Sequence, residues 1–207
     1  MASHDQSDRL GGNQPFTTPL FHEVMTRFDT TRRHVIFEPG SISPGILTLQ
    51  QGKRCRLVIA DAAVALSDLS GESPDSKTLH QLMGPYIAAP DSEEIDTVLC
   101  WDLLNYLSLP LIEVFTAKLV PHMSATGMLH AYIHSAHTTM PRYPQCYRVL
   151  AEDLVACVAQ DAGERKTPRY SYGDLDRHAT GLRVARSMLL RNGIQEYLLR
   201  VHRATAQ

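Results

Sequence analysis

Acidic residues and a glycine follow the first apolar segments of the sequence, at Glu38, Gly40, Asp61 and Asp102. A carboxylate can accept hydrogen bonds from ligand hydroxyl groups, and a glycine lets the backbone approach a ligand because it has no Cβ atom. Asp61 lies about 20 residues after Gly40, a spacing at which an acid can bind both hydroxyls of a ribose. An Asp at this position is equally compatible with a helix N-cap.

The segment EPGSISPG, residues 38 to 45, connects a predicted strand to a predicted helix. Ser43 and Pro44 form a good helix start, because the Ser hydroxyl can cap a backbone N–H and proline at the first helical position costs no hydrogen bond. The positive end of that helix could face a carboxylate. The alternative is a capped strand-to-helix turn with no ligand.

The segment CWDLLNYL, residues 100 to 107, follows the most apolar strand of the pattern. Ligands collect beyond the carboxyl ends of parallel strands. We therefore expect Asp102 and Asn105 to position a substrate or a cofactor, with Trp101 and Tyr106 as walls and with Asp102 as a candidate general base. The alternative is a polar turn after a buried strand, with the aromatic residues in the core.

Strands and helices must alternate to position these residues. The pattern predicts strands at 34–38, 55–61, 95–101 and 128–135, and helices at 18–28, 44–51, 62–70, 78–83 and 109–123. A third strand at 84–90 is poorly marked. Such alternation predicts a parallel sheet with helices on both sides.

The C-terminal third is predicted to differ from this alternation. We expect an irregular segment at 137–148, a helix at 149–160, and a short helix that ends at Gly181. Two strands, 182–190 and 194–203, are then joined by Arg191-Asn192-Gly193, in which Asn-Gly favours a tight hairpin turn. Residues 1–17 are polar and are predicted to be a flexible arm, so residues 18–207 form one domain.

In several features the sequence resembles the class I S-adenosylmethionine-dependent methyltransferases. These features are the order of the elements, the segment EPGSISPG, Asp61, the segment DTVLCWDLLNYL and the terminal hairpin. The resemblance implies an α/β, Rossmann-like sandwich whose mostly parallel sheet ends in an antiparallel hairpin. It implies S-adenosyl-L-methionine as the cofactor, with Asp102, Asn105 and Tyr106 as catalytic candidates. The cofactor-binding candidates are Glu38, Gly40, Ser41, Ser43, Asp61, Trp101 and Asp102. In that family the loop usually reads acidic-x-Gly-x-Gly-x-Gly. This sequence departs from that pattern, because Ile42 and Pro44 stand in place of the later glycines.

The composition of the sequence limits the kinds of partner that the protein is expected to bind. Twenty Lys and Arg residues balance 22 Asp and Glu residues, and the net charge of −2 implies neither nucleic acid nor an anionic membrane. The four cysteines show no CxxC spacing, which fits a reducing cytoplasm. His130, His134 and His137 lie on or near a predicted strand, where residues four apart are about 13 Å from each other, so we expect no metal site.

We therefore expect a cytoplasmic methyltransferase that acts on a small molecule or a protein group. The alternative is an inactive member of this fold that serves as a binding or scaffolding partner. The segment 135–148 could recognise a substrate or form a homo-oligomer surface.

Overall fold

The computed structural model describes residues 14–49, 51–69, 77–78, 93–158 and 163–202. The predicted strand at 84–90, most of the predicted helix at 78–83 and residues 1–13 of the predicted arm lie outside the described residues. Pro15–Thr17 form a short strand, β1, so the predicted arm does not reach residue 17.

A six-stranded sheet forms the centre of the fold. Its spatial order is β10 (Leu182–Leu189), β11 (Ile194–Val201), β5 (Met123–His134), β4 (Ile95–Trp101), β2 (His34–Glu38) and β3 (Cys55–Ile59). Strands β2 to β5 run parallel, whereas β11 is antiparallel to both β5 and β10. This arrangement confirms the predicted fold class.

The predicted Asn192-Gly193 turn is present between β10 and β11. Gly193 has a φ of 76°, and its N–H donates to the Leu190 carbonyl at 3.0 Å. An L-residue with a side chain rarely adopts this φ, so the glycine fixes the hairpin turn.

Helices cover both faces of the sheet. Their bounds are α1 Pro19–Met25, α2 Ile46–Leu49, α3 Ala63–Leu69, α4 Leu109–Leu119 and α5 Tyr172–His178. One apolar cluster packs α3, α4 and α5 against one face, and a second packs α1 and α2 against the other. Helix α2 is shorter than the predicted 44–51, because Gly45 has a φ of 91° and the helix begins only after it.

The prediction for residues 137–158 was wrong, and residues 159 and 160 of the predicted helix lie outside the described residues. Residues 149–160 were expected to be helical, but β7 (Cys146–Ala151) and β8 (Leu154–Val158) form an antiparallel hairpin that also pairs with β1. We call β1, β7 and β8 the cap sheet. Tyr147 and Val149 are buried while Arg148 and Leu150 are exposed, so the apolar residues have the two-residue period of a strand. The segment expected to be irregular also contains β6 (Thr139–Pro141), which pairs with β9 (Glu164–Lys166).

No helix among the described residues is long and apolar enough to cross a membrane.

Candidate functional site

Glu38 ends β2 at the edge where the parallel strands reach their carboxyl ends, and its side chain is fully buried. Its Oε2 accepts a hydrogen bond from the Ser43 N–H (3.1 Å), and its Oε1 accepts one from the Trp101 Nε1–H (3.0 Å). Burial raises the pKa of Glu38, and these donors oppose the rise only in part. Glu38 therefore joins the loop after β2 to the end of β4.

The loop after β2, residues 39–45, is held close to the segment that follows β3. The Asp61 N–H donates to the Gly40 carbonyl at 3.2 Å, and the Ala62 N–H donates to the Pro39 carbonyl at 2.9 Å. Asp61 itself has a φ of 50° and is exposed, and it accepts a hydrogen bond from the Ser41 hydroxyl at 2.6 Å. Asp61 thus presents a positioned carboxylate to solvent at the carboxyl end of β3, the feature predicted for ribose recognition.

The sequence singled out two further residues of this loop, Ile42 and Ser43, and Ser43 differs from expectation. Ile42, which stands in place of a glycine in the resembled loop, is 42% exposed, so its side chain lies partly in solvent. The Ser43 side chain is buried, and its hydroxyl lies near Glu38 without a hydrogen bond of normal geometry to any described residue. The Ser43 carbonyl, rather than its hydroxyl, accepts the first N–H of α2, from Ile46 at 3.2 Å. The predicted side-chain cap is therefore absent.

Gly45 is the glycine whose conformation this loop requires. An added Cβ atom would lie 2.0 Å from the Val149 carbonyl oxygen, whereas one on Gly40 would meet only Ala63 Cβ at 3.4 Å. The Pro44 carbonyl accepts the Val149 N–H at 2.8 Å, so the loop and β7 touch along their backbones. The sequence prediction missed Gly45, although the Pro44-Gly45 dipeptide is itself a turn signal.

Asp102 follows Trp101 at the carboxyl end of β4 and is 1% exposed. Both carboxylate oxygens accept the Gln145 N–H at 3.2 Å. Burial raises the pKa of Asp102 to about 7, and the Gln145 N–H and the hydroxyls of Tyr147 and Tyr106 limit the rise. A carboxyl with such a pKa can exchange a proton near neutral pH.

Asn105 and Tyr106 are buried and bonded to the backbone. The Asn105 Nδ2 donates to the carbonyls of Asp102 (2.7 Å) and Tyr132 (2.8 Å), and its Oδ1 accepts the His134 N–H (2.8 Å). The Tyr106 hydroxyl lies 3.0 Å and 2.8 Å from the carbonyl oxygens of Pro141 and Tyr143. These contacts give both residues a structural role, and a direct role in chemistry stays a prediction.

Aromatic rings cover the ends of β2 and β4. Trp101 stacks on Tyr147 of the cap sheet, with ring centroids 5.3 Å apart and an interplanar angle of 15°. Tyr132 of β5 lies 5.8 Å from the Trp101 ring and 5.3 Å from the Tyr147 ring. The edge of the sheet at the carboxyl ends of these strands therefore has two parts. We call the exposed part with Ser41 and Asp61 the open half, and the part in which Glu38 and Asp102 are buried beside these rings the closed half.

The closed half also contains histidine. His134 at the end of β5 is 3% exposed, and neither ring nitrogen has a hydrogen-bond partner among the described residues. Burial lowers the pKa of His134 to about 4, and the neighbouring His137 contributes to the shift. The described part of the chain holds no group of three or more His, Cys, Asp or Glu residues able to bind a metal ion.

No protein-family model matches the chain, and no curated protein matches it. Solved structures resemble it in fold. The glycopeptide N-methyltransferase MtfA with bound S-adenosyl-L-homocysteine is 12% identical, with 96% of this chain and 95% of MtfA covered and a TM-score of 0.49. The CcbJ methyltransferase from Streptomyces caelestis is also 12% identical, with 97% and 95% covered and a TM-score of 0.49.

The pyocyanin biosynthetic protein PhzM is 19% identical, with 88% of this chain covered and a TM-score of 0.46. The matched region is 54% of PhzM, so this chain spans about half of that protein. At sequence identities this low, a match to a solved structure is evidence about the fold alone. The chain's own strand order and antiparallel terminal hairpin give it the class I methyltransferase fold.

Proposed function

We propose that this chain is an S-adenosylmethionine-dependent methyltransferase. The observation that carries the proposal is Asp61, whose exposed carboxylate is positioned by Ser41 at the carboxyl end of β3. Gly40 lies beside it through the Asp61 N–H. Two hydroxyls of a ribose can donate to such a carboxylate, whose backbone is held by the Asp61 N–H and whose side chain is held by the Ser41 hydroxyl.

The residues of the open half fit the nucleoside part of the cofactor. In the closed half, beside Glu38, the buried Ser43 hydroxyl lacks a hydrogen bond of normal geometry and is suited to a polar group of the ligand. The closed half could take the amino-acid part only if Tyr147 leaves Trp101, because Glu38 and Asp102 are buried beside the stacked rings.

The cofactor supplies an electrophilic methyl group when bound. The chain's own contribution is then to position the acceptor and to exclude water, which carry most of such a reaction. The Asp102 carboxyl can accept a proton from the acceptor near neutral pH, and Trp101, Tyr132 and Tyr147 keep solvent away. The net charge of −2 supports a small-molecule or protein acceptor over nucleic acid, and the cytoplasmic location stays a prediction.

The proposal is tested by isothermal titration with S-adenosylmethionine and with S-adenosylhomocysteine. We expect Asp61→Ala to weaken affinity at least several-fold, because hydrogen bonds to a charged group contribute roughly 1.5–3 kcal/mol. Asp68→Ala, which removes another exposed carboxylate two turns along the same segment, is the matched control and should bind normally. Equal affinity of the Asp61 variant and the control would contradict the role of Asp61.

A second candidate is a protein of this fold without turnover, acting as a binding or scaffolding partner. The Trp101–Tyr147 stack over Glu38 favours it, because each Glu38 oxygen already accepts a hydrogen bond from the protein. Absence of binding of both nucleosides at millimolar concentration would select this candidate over the methyltransferase.

A further inference from the structure

The cap sheet lies over the closed half of the site but does not belong to the six-stranded sheet. Its strand β7 supplies Tyr147, and Gln145, just before β7, donates its N–H to Asp102. Strand β7 and loop 39–45 therefore meet beside the closed half, through the Val149 N–H and the Pro44 carbonyl.

The β1 edge of the cap sheet is firmly attached. Thr18, next to β1, donates its hydroxyl to the buried Glu196 and lies 2.8 Å from the Tyr132 hydroxyl. The Thr18 N–H donates to the Asp153 carbonyl at 2.8 Å, and three residue pairs join β1 to β8. This edge is fixed to α1 and to β11 through buried polar groups.

The junction of β7 with loop 39–45 has weaker attachments than the β1 edge. Among the described residues β7 meets loop 39–45 through the Val149 N–H to the Pro44 carbonyl (2.8 Å) and through a thiol contact from Cys146 to the Ile42 carbonyl (3.9 Å). A thiol is a weak donor. An ion pair between Lys53 and Glu152 lies at the partly exposed β7–β8 turn, where such pairs contribute little.

We propose that the β7–β8 hairpin is a lid, which separates from loop 39–45 about its β1 edge and so admits a ligand to Glu38 and Asp102. The inference rests on the proposed function for the identity of the ligand, but the lid itself is a property of the chain. Opening breaks the Val149–Pro44 hydrogen bond and the contact from the Gln145 N–H to Asp102, and it parts Tyr147 from Trp101. Trp101 is the single tryptophan of the sequence, so its fluorescence reports the movement.

A crosslink between the lid and the loop tests the inference. Ile42→Cys introduces a thiol in the residue whose carbonyl oxygen lies 3.9 Å from the Cys146 Sγ, and oxidation, or dibromobimane if the disulfide does not form, joins the two. We expect the crosslinked protein to bind S-adenosylmethionine at least tenfold more weakly than the reduced protein, and without the change in Trp101 fluorescence. The double variant Ile42→Cys, Cys146→Ser, treated identically, should bind as well as its untreated form. Equal binding by the crosslinked and reduced proteins would overturn the lid.

Hydrogen exchange without ligand separates this inference from the proposed function. The Val149 amide should exchange at least tenfold faster than the β4 and β5 amides, such as those of Leu99 and Leu129, and crosslinking should slow it selectively. Equal protection of Val149 and the β4 amides would overturn the lid even if the cofactor binds. Fast, crosslink-sensitive exchange would support the lid even if no form of the protein binds the cofactor.

Discussion

Asp102 and His134 lie at the carboxyl ends of the neighbouring strands β4 and β5. Burial raises the pKa of Asp102 and lowers the pKa of His134. Asp102 is shifted up to about 7 and His134 down to about 4, so burial favours the neutral form of each. Between these values the folded protein holds a proton on Asp102 that the unfolded chain releases. It also lacks a proton on His134 that the unfolded chain binds below pH 6.5. The two effects on stability therefore oppose each other.

Asp102→Asn tests the first effect. The raised pKa means that wild-type stability attributable to Asp102 is fully present below pH 4 and is lost as the pH rises to about 7, a loss on the order of 4 kcal/mol at most. The variant should therefore gain free energy of unfolding relative to wild type at pH 8 but not at pH 4, measured by urea unfolding. Asp68→Asn, at an exposed position, is the control. A difference independent of pH would contradict the buried, protonated Asp102.

His134→Gln tests the opposite effect. Because the pKa of His134 is lowered, its contribution is present above pH 6.5 and is lost as the pH falls towards 4, by an amount on the order of 3 kcal/mol. The variant should therefore lose less stability than wild type between pH 6.5 and pH 4.5. The exposed His122→Gln is the matched control. If both variants follow the wild-type profile, His134 is not held neutral by the fold.

Several elements meet at one buried carboxylate, Glu196 of β11. Its oxygens accept the backbone N–H groups of Leu20 (3.0 Å) and Phe21 (2.8 Å) at the start of α1, and the His130 Nε2 lies 2.8 Å away. Burial raises the pKa of Glu196, but the bonds from His130, Thr18 and Leu20 outweigh it, so the pKa is lowered overall. No sequence motif indicates this cluster, because its members are far apart along the chain.

Glu196→Gln should cost at least about 2 kcal/mol of unfolding free energy, since one carboxylate oxygen is replaced by a donor that faces N–H groups. Urea unfolding at neutral pH measures the change. The exposed Glu94→Gln provides the control and should change stability by less than about 0.5 kcal/mol. A loss equally small in the Glu196 variant would mean that α1 does not depend on this carboxylate.

The contact between loop 39–45 and β7 depends on the absence of a side chain at Gly45. Gly45→Ala should lower the free energy of unfolding by about 2 kcal/mol or more beyond the cost of a positive φ, because its Cβ atom would overlap the Val149 carbonyl. Gly52→Ala is a close control, since Gly52 has a φ of 80° and nothing within 4 Å of an added Cβ atom. Thermal unfolding of both variants separates the overlap from the backbone strain, and equal losses would contradict the overlap.

Across the whole molecule, the sheet separates two apolar clusters, and the cap sheet packs only on the cluster that contains Trp101. Strands β2, β4, β5 and β11 contribute residues to both clusters, so the two faces share their backbone. Because the faces share these strands, we expect them to unfold together.

Urea unfolding should therefore give coincident transitions by Trp101 fluorescence, which reports one face, and by far-ultraviolet circular dichroism, which reports the whole chain. Refolded wild type recorded by the same two probes is the control. A Trp101 transition at lower urea than the circular dichroism transition would show that the cap-sheet face unfolds independently.

The sequence by itself determined the central strands, the terminal hairpin and the acids at the strand ends. Strands β2 and β4 are short, mostly apolar segments, and Asn192-Gly193 specifies a turn through local backbone preferences. Such signals lie within a few neighbouring residues, so they can be recognised without the fold.

Only the tertiary structure decided what surrounds those acids. Residues 146–158 carry apolar residues at spacings that suit either a helix or a strand, and pairing with β1 selects the strand. The Gln145 N–H reaches Asp102, and Tyr147 covers Trp101, across more than 40 residues of sequence. Burial and hydrogen bonding between such distant residues depend on how the sheets pack, and no local pattern specifies which partner each side chain meets.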